Sequence, residues 1–379
     1  MNIAELSEKE TPFYLYDTGI LRNNLEKLKE ASDRYNYKVH YAVKANANIP
    51  VLQMVKDYGF GVDCVSGGEI ERSISAGFKG DQVVFAGVGK SDREIEIALS
   101  HNIFCFNAES FEEVKVLHDL SKKNNKVAKI ALRIKPNVDA RTHKYITTGL
   151  EENKFGIDFH DLPDIIEFIK GSENLDLIGI HFHIGSQITE LDVFRNLCLK
   201  VNEIQKWFQS QGLSLEHLNL GGGLGVDYLN PDENHLPDYE AFFSLFDQQL
   251  DSYEGQEIHF ELGRSVVAQC GSLISRVLYV KKGIATDFLI LDSGMTELIR
   301  PALYQSYHKI ENWSKRSKPL NNKYDVVGPI CESSDYFGKA VQFPESERGD
   351  IIAIRSCGAY GEVMASSCNL RPKAEAHYV

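Results

Sequence analysis

Sulfur-bearing and indole side chains are scarce in this chain of 379 residues, which has four methionines, two tryptophans and seven cysteines. The cysteines are odd in number, scattered, and partly set inside apolar runs (Cys64, Cys105, Cys270), with no Cys-x-x-Cys pair. That argues against a disulfide framework and fits a reducing cytoplasm. A His-Glu-x-x-His string and a Cys/His cluster at zinc spacing are both missing, so no metal site is expected. No apolar run is long enough to span a bilayer. The opening MNIAELSEKE has neither a basic stretch nor an apolar one, so no secretory leader is expected. Positive charge is in deficit, with 41 Lys and Arg against 54 Asp and Glu and a net charge of −13. Nucleic acid or an anionic membrane is therefore a poor main partner. A small anionic substrate remains open, because a local arginine cluster overrides a global charge. Internal repeats and low-complexity tracts are also lacking.

What is present is an ordinary globular composition, 43% apolar and 25% charged, enough to bury a sizeable core. Eight mostly continuous apolar runs read as strands: Lys38–Ala45, Gly61–Ser66, Val83–Val88, Ile103–Ala108, Val127–Lys135, Leu177–Ser186, His217–Gly222 and Glu257–Arg264. Continuous rather than alternating apolarity marks a parallel sheet covered on both faces. Helical periods lead or follow them, at Ile20–Tyr35, Gly68–Ala76, Ser91–Ser100, Glu109–Lys122, Leu162–Lys170, Leu191–Gln211 and Tyr239–Ser252. Ser91-Asp92, and Asn107 ahead of Glu109, look like N-caps. The count of eight favours a (β/α)8 TIM-type barrel over a doubly wound sheet. Beyond about Arg264 the texture changes to short β-rich runs, Ser272–Val280, Asp287–Leu291, Lys323–Gly328 and Ile351–Ile354, which predict a smaller, mostly β domain. The strand-like Thr11–Asp17 is expected to pair with that domain, and the polar His308–Asn322 is expected to be a mobile loop. The division expected is 20–262 for the barrel and 1–19 plus 263–379 for the β domain.

Barrel chemistry sits at the C-terminal ends of the strands. There Lys44 is either a Schiff-base lysine or a snorkelling one. His181 and His183 share one side of a strand. His183, nearer the active end, could stack on a flat cofactor or move protons, whereas His181 reads as a hydrogen-bonded core histidine. Gly221, Gly222 and Gly223 could bring backbone N–H groups to a phosphate, or simply turn the chain. Glu261 is either the partner of a protonated pyridine nitrogen or half of an ion pair with Arg264. In the β domain, Arg300 and Tyr304 could clamp a carboxylate. Cys331 lies beside Glu332 in a turn, and Tyr360 could bring a phenol to the site. Each of these, taken alone, also has a bland structural reading.

Taken in order, YAVKAN, HFHIGSQ, NLGGG, Glu-x-Gly-Arg, Gly-Pro-x-Cys and GAY resemble the fold-type III pyridoxal-phosphate decarboxylases, from about Pro12 to about Pro372. The resemblance implies pyridoxal 5'-phosphate bound covalently to Lys44 and stacked by His183, with Glu261 at its ring nitrogen. Ser186, Gly221, Gly222, Gly223, Arg264 and Tyr360 would surround the phosphate, with Gly263 beside them and Asp63 and Arg133 close to the ring. It also implies that Cys331 is the proton donor and reaches the neighbouring subunit's site, so that the protein is a homodimer. RPALY (Arg300 to Tyr304), CESSD (Cys331 to Asp335), THKYITTG (Thr142 to Gly149) and ENKFGI (Glu152 to Ile157) are similar to the diaminopimelate branch. There Arg264, Arg300 and Tyr304 would take the substrate's distal carboxylate, Glu332 its ammonium, and Tyr360 would stand by. The chain departs from the family at Leu262, where many relatives have Pro. The rival readings are a decarboxylase for ornithine or carboxynorspermidine, a racemase on the same fold, and a non-catalytic cofactor-binding regulator.

Overall fold

The computed structural model describes residues 5–6, 8–138 and 154–379. Thr142–Gly149, and Glu152 and Asn153 of the ENKFGI string, lie outside the described residues. The chain divides into two compact units.

One unit is Leu25–Gly225 with Asp238–Gly263. Eight parallel strands close into a barrel in sequence order: β2 (Lys38–Ala42), β3 (Gly61–Cys64), β4 (Val83–Phe85), β5 (Cys105–Ala108), β6 (Ala128–Arg133), β7 (Leu175–His181), β8 (His217–Asn219) and β9 (Glu257–Leu262). Closure is by β9 on β2, with Lys38 opposite His259 and Tyr41 opposite Leu262. The connecting helices are α2 (Ile49–Asp57), α3 (Gly67–Ser75), α4 (Asp92–Ser100), α5 (Phe111–Lys123), α6 (Leu162–Lys170), α7 (Asp192–Ser210) and α8 (Tyr239–Gln249). α1 (Thr18–Arg34) runs into this unit from the chain's beginning.

Local chemistry sets these starts. Pro50 stands at the first turn of α2, a position the sequence reading left without a helix. Ser91 and Glu94 form a capping box on α4. Ser110, not Asn107, caps α5, its hydroxyl accepting from Glu113 N at 3.1 Å. Most strands also end earlier than their apolar runs, because the chain turns at the barrel rim. Beyond β2, for example, Val43–Ala45 is a single 3₁₀ turn.

Inside the barrel His40, His217 and His259 pack together, with ring centroids 4.1 Å apart for His217–His259 and 5.1 Å for His40–His259, and Phe104 stacks on His259. His40 Nε2 and His259 Nδ1 share a hydrogen bond of 2.9 Å. Burial keeps these rings neutral. It lowers His40 to about 4, His217 to about 3, and His259 well below the usual imidazole value.

The other unit comprises the chain up to Asn24, Val226–Pro237 and Arg264–Val379. β1 (Phe13–Tyr16) lies antiparallel to β10 (Gly271–Lys281) and parallel to β16 (Glu375–Tyr378), as expected of a strand that precedes the barrel yet joins the β sheet. The remaining order is β12 (Ile310–Asn312), β15 (Ile351–Ile354), β10, β11 (Asp287–Leu291), β13 (Asn322–Val327) and β14 (Tyr336–Phe343). Phe13, Leu15, Ile274, Ile351 and Ala353 form its apolar centre, with Trp313 packed against them. The expected loop over His308–Asn322 is corrected: it contains β12, and His308 is buried. Two short helices, α9 (Arg264–Val267) and α10 (Arg300–Tyr304), complete the unit.

Val226–Pro237 was expected within an unbroken barrel span, but it is tied to the β unit by polar contacts. Gln269 donates to Asp227 O at 2.7 Å, Arg355 pairs with Asp232 at 2.8 Å, and Arg264 donates to Tyr228 Oη.

Candidate functional site

In the barrel unit the predicted residues gather at the C-terminal ends of the strands. Lys44 sits in the turn after β2, its amine 3.2 Å from Asp63 Oδ2 at the end of β3. Burial, and then the charge of Glu261, push the Asp63 carboxyl up to about 8 despite that lysine, and its other oxygen is buried without a partner. Gly263 lies against Ala42 and Ala45. A Cβ there would come 3.0 Å and 3.1 Å from theirs, crowding the turn that presents Lys44.

Glu261 on β9 is fully enclosed. Its Oε1 accepts from Asn107 at 3.0 Å and Asn219 at 2.8 Å, and its Oε2 meets His181 Nε2 at 3.0 Å. Burial opposes ionisation, yet His181, and then Lys44 and His183, hold this carboxyl well below the usual range. His183 is half-buried, with its ring desolvated. That, with Lys44 and Arg133 nearby, lowers its pKa well below the usual imidazole value, so its ring is neutral and its Nδ1 accepts from Gly222 N at 3.3 Å. Arg133, at the end of β6, donates to Glu109 Oε1 at 2.6 Å and lies 4.9 Å over Phe155. Glu109 also accepts from the N–H groups of Gly87 and Gly156.

The glycine run after β8 admits no side chains. A Cβ at Gly221 would meet Phe182 O at 2.2 Å, one at Gly222 would meet Glu261 O at 1.9 Å, and one at Gly223 would meet Gly185 O at 2.6 Å. Gly221 N–H goes to Asn219 Oδ1 and Gly222 N–H to His183, leaving the Gly223 N–H without an acceptor among the described residues. Ser186 is half-buried beside Gly185. An orphaned carboxylate oxygen, a free N–H in a side-chain-free turn, a neutral ring and an ionised carboxylate fit a flat anionic cofactor with a basic ring nitrogen.

In the β unit a second cluster forms. Tyr228 Oη accepts from Arg264 at 2.7 Å and from Arg300 at 3.0 Å, and both guanidiniums are buried. Arg264 also lies 4.8 Å over Tyr360, which adopts φ of 56°. Among the described residues Arg300 has only neutral acceptors, Tyr228 and Ser306 Oγ (3.3 Å), and its buried Nε has none. Tyr304 closes the same helical turn. Cys331 and Glu332 are exposed, on a loop shaped by buried Asp335, which accepts from the N–H groups of Ile330 and Met295. Cys331 N donates to Asn369 Oδ1 at 3.2 Å.

Sequence reasoning missed the supporting residues: Asn107, taken for a cap; Asn219; Glu109; and Tyr228. His181, read as a hydrogen-bonded core histidine, is buried and bonded to Glu261. Period-two spacing offered one signal. His181 ends β7 with His183 two residues further on, and Asn219 likewise stands two residues before Gly221, the first glycine of the turn.

The closed parallel barrel carries a lysine at its first strand end and an ionised carboxylate on its last, and residues 19–268 match the family described as pyridoxal-dependent decarboxylase, pyridoxal binding domain. The chain is 53% identical to the diaminopimelate decarboxylase of Bacteroides thetaiotaomicron, over 96% of this chain and 94% of that protein. It is 43% identical to the diaminopimelate decarboxylase of Helicobacter pylori strain J99, over 98% and 91%. The crystal structure of a Helicobacter pylori diaminopimelate decarboxylase complexed with L-lysine superposes with a TM-score of 0.93 at 41% identity, covering all of this chain and 94% of that one. The chain belongs to the diaminopimelate decarboxylase family of pyridoxal-dependent decarboxylases. A lysine/ornithine decarboxylase from Vibrio vulnificus shares the fold at TM-score 0.85 and 22% identity.

Proposed function

We propose that this chain decarboxylates meso-2,6-diaminopimelate at its D-centre to L-lysine and CO2, the last step of lysine biosynthesis, using pyridoxal 5'-phosphate. The observation that carries the substrate assignment is buried Arg300, which among the described residues has only neutral acceptors and an unpartnered Nε. Sites built for a polar partner reject analogues lacking it by about 10⁴–10⁵. Ornithine and carboxynorspermidine, the alternative substrates, would leave this charge unmatched.

When bound, the cofactor supplies an electron sink for the pair released with CO2. Lys44 holds it covalently, and the neighbouring Asp63 exchanges protons with that amine. Glu261 keeps the ring nitrogen protonated, a role supported by the three side chains that fasten it as an anion. His183 offers a neutral face for stacking, and Arg133 stands by the ring. Ser186, Gly221, Gly222, Gly223, Gly263, Arg264 and Tyr360 hold the phosphate end, where the glycine turn is the main support. Arg264, Arg300 and Tyr304 take the substrate's distal carboxylate and Glu332 its ammonium, with Tyr360 alongside. Cys331 delivers a proton to the α-carbon after CO2 leaves, worth about 10²–10⁴-fold in rate. The exposure of Cys331 and Glu332 supports their serving the neighbouring protomer of a homodimer.

Incubating cofactor-loaded protein with meso-diaminopimelate should yield lysine and CO2 in equal amounts, with ornithine and carboxynorspermidine turned over far more slowly. Lys44→Ala should abolish both turnover and the borohydride-sensitive yellow chromophore. Faster turnover of ornithine would overturn the substrate assignment.

A further inference from the structure

Two buried cations meeting at one neutral oxygen is an arrangement that needs a cause. The guanidiniums of Arg264 and Arg300 both donate to Tyr228 Oη, at 2.7 Å and 3.0 Å. The tyrosine is itself held in place. Asp227 accepts from the N–H groups of Leu229 and Asn230 at 2.8 Å and 3.0 Å, Gln269 donates to Asp227 O, and the His308 ring packs edge-on against the phenol at 5.1 Å. His308 is neutral, since burial and then Arg300 lower it to about 3. A phenol oxygen that accepts two N–H groups still has one proton to donate. Arg300 Nε, buried and unpartnered, is a second unused donor in the same cluster.

We infer that Tyr228 is a positioning and specificity-determining residue of the carboxylate clamp: its oxygen gathers the two guanidiniums at one point, and its own proton is left for the incoming carboxylate. This rests on the reading that Arg264 and Arg300 take the substrate's distal carboxylate. Without the phenol oxygen the two like charges have no common acceptor and separate. Burial raises the phenol's pKa, but Arg264 and then Arg300 pull it below the ordinary value. As pH rises through that value, the phenolate neutralises the arginines and repels a carboxylate, so affinity for the acidic end of a ligand falls.

The test compares the wild-type holoenzyme with Tyr228→Phe and Arg300→Ala. The readouts are KM and kcat for meso-diaminopimelate and Ki for two probes. 6-Aminohexanoate keeps lysine's carboxylate and terminal amine, and cadaverine lacks the carboxylate. For Tyr228→Phe, KM and the 6-aminohexanoate Ki should rise together by about 10- to 100-fold, the loss of hydrogen bonds to charged groups. kcat should fall far less, the cadaverine Ki should hold, and the alkaline fall in kcat/KM should weaken. Unchanged KM and Ki in Tyr228→Phe, with both raised in Arg300→Ala, would overturn the inference alone. Both unchanged in Arg300→Ala would instead overturn the clamp reading beneath it. Should Tyr228→Phe fail to fold, the wild-type ratio of the 6-aminohexanoate Ki to the cadaverine Ki decides. A rise with pH supports the role of Tyr228, and a flat ratio overturns it.

Discussion

The two units solve the problem of buried charge in opposite ways. In the barrel, Glu261 is met by Asn107, Asn219 and His181, and Arg133 by Glu109, each pairing made between residues at or just past the ends of different strands. In the β unit, Arg300 is equally buried but, among the described residues, meets only hydroxyl groups and keeps a bare Nε. A buried charge that is fully hydrogen-bonded is a finished piece of scaffold. One given only neutral partners is a site whose stabilising counter-charge arrives with a ligand. On the function proposed above, the barrel would hold its chemistry fixed, and the Arg300 cluster of the β unit would discriminate among what comes to it.

The contrast breaks most visibly at Arg300. Arg300→Ala should lower kcat/KM on meso-diaminopimelate by about two to three orders of magnitude, since losing one partner of a buried charged contact costs roughly 2–5 kcal/mol. The visible spectrum of the bound cofactor should not change. A loss of cofactor in that variant would mean the arginine is scaffold after all. The reverse is expected at Glu109. Glu109→Gln leaves the buried Arg133 without its counter-charge, which should cost about 3–5 kcal/mol of stability, read as a lower midpoint in urea. Were the midpoint to stay put while turnover collapsed, Glu109 would belong with the chemistry instead.

Acid should separate the units next. The folded pKa of each buried histidine lies below its unfolded value of about 6.5. The unfolded chain therefore binds more protons below that pH, and the stabilisation present above it is lost as pH falls. The window runs from about 6.5 down to about 4 for His40 and about 3 for His217 and His308. Four such rings lie in the barrel unit (His40, His183, His217, His259), against His308 in the β unit. Between pH 7 and 4.5, amide exchange should rise more in barrel strands than in β10 or β15. Equal loss in both units would refute the histidine account. The smallest effect expected is Ser110→Ala, about 1 kcal/mol from an uncapped α5, with turnover unchanged.

Much of this architecture was legible in the chain itself. Continuous apolar runs between helical periods define parallel strands because both faces of such a sheet are covered, and their number implies closure. The placement of Lys44, Glu261 and the Gly221–Gly223 turn at strand ends follows from the same periodicity. The strand Phe13–Tyr16 could be assigned to the β sheet because it precedes the first barrel helix and had no other place to pair. The short edge strand Ile310–Asn312 could not be read, because a three-residue strand carries too little pattern to stand out from a polar loop.

Composition and period thus determined which elements form and which residues stand at their ends, since both are properties of neighbours along the chain. Only the tertiary structure decided what those residues touch. Asn107, Asn219 and His181 converge on Glu261 from three different strands, and Tyr228 joins arginines 36 and 72 positions away. Hydrogen bonds of that kind act across space over distances near 3 Å, and no local pattern of residue types encodes them.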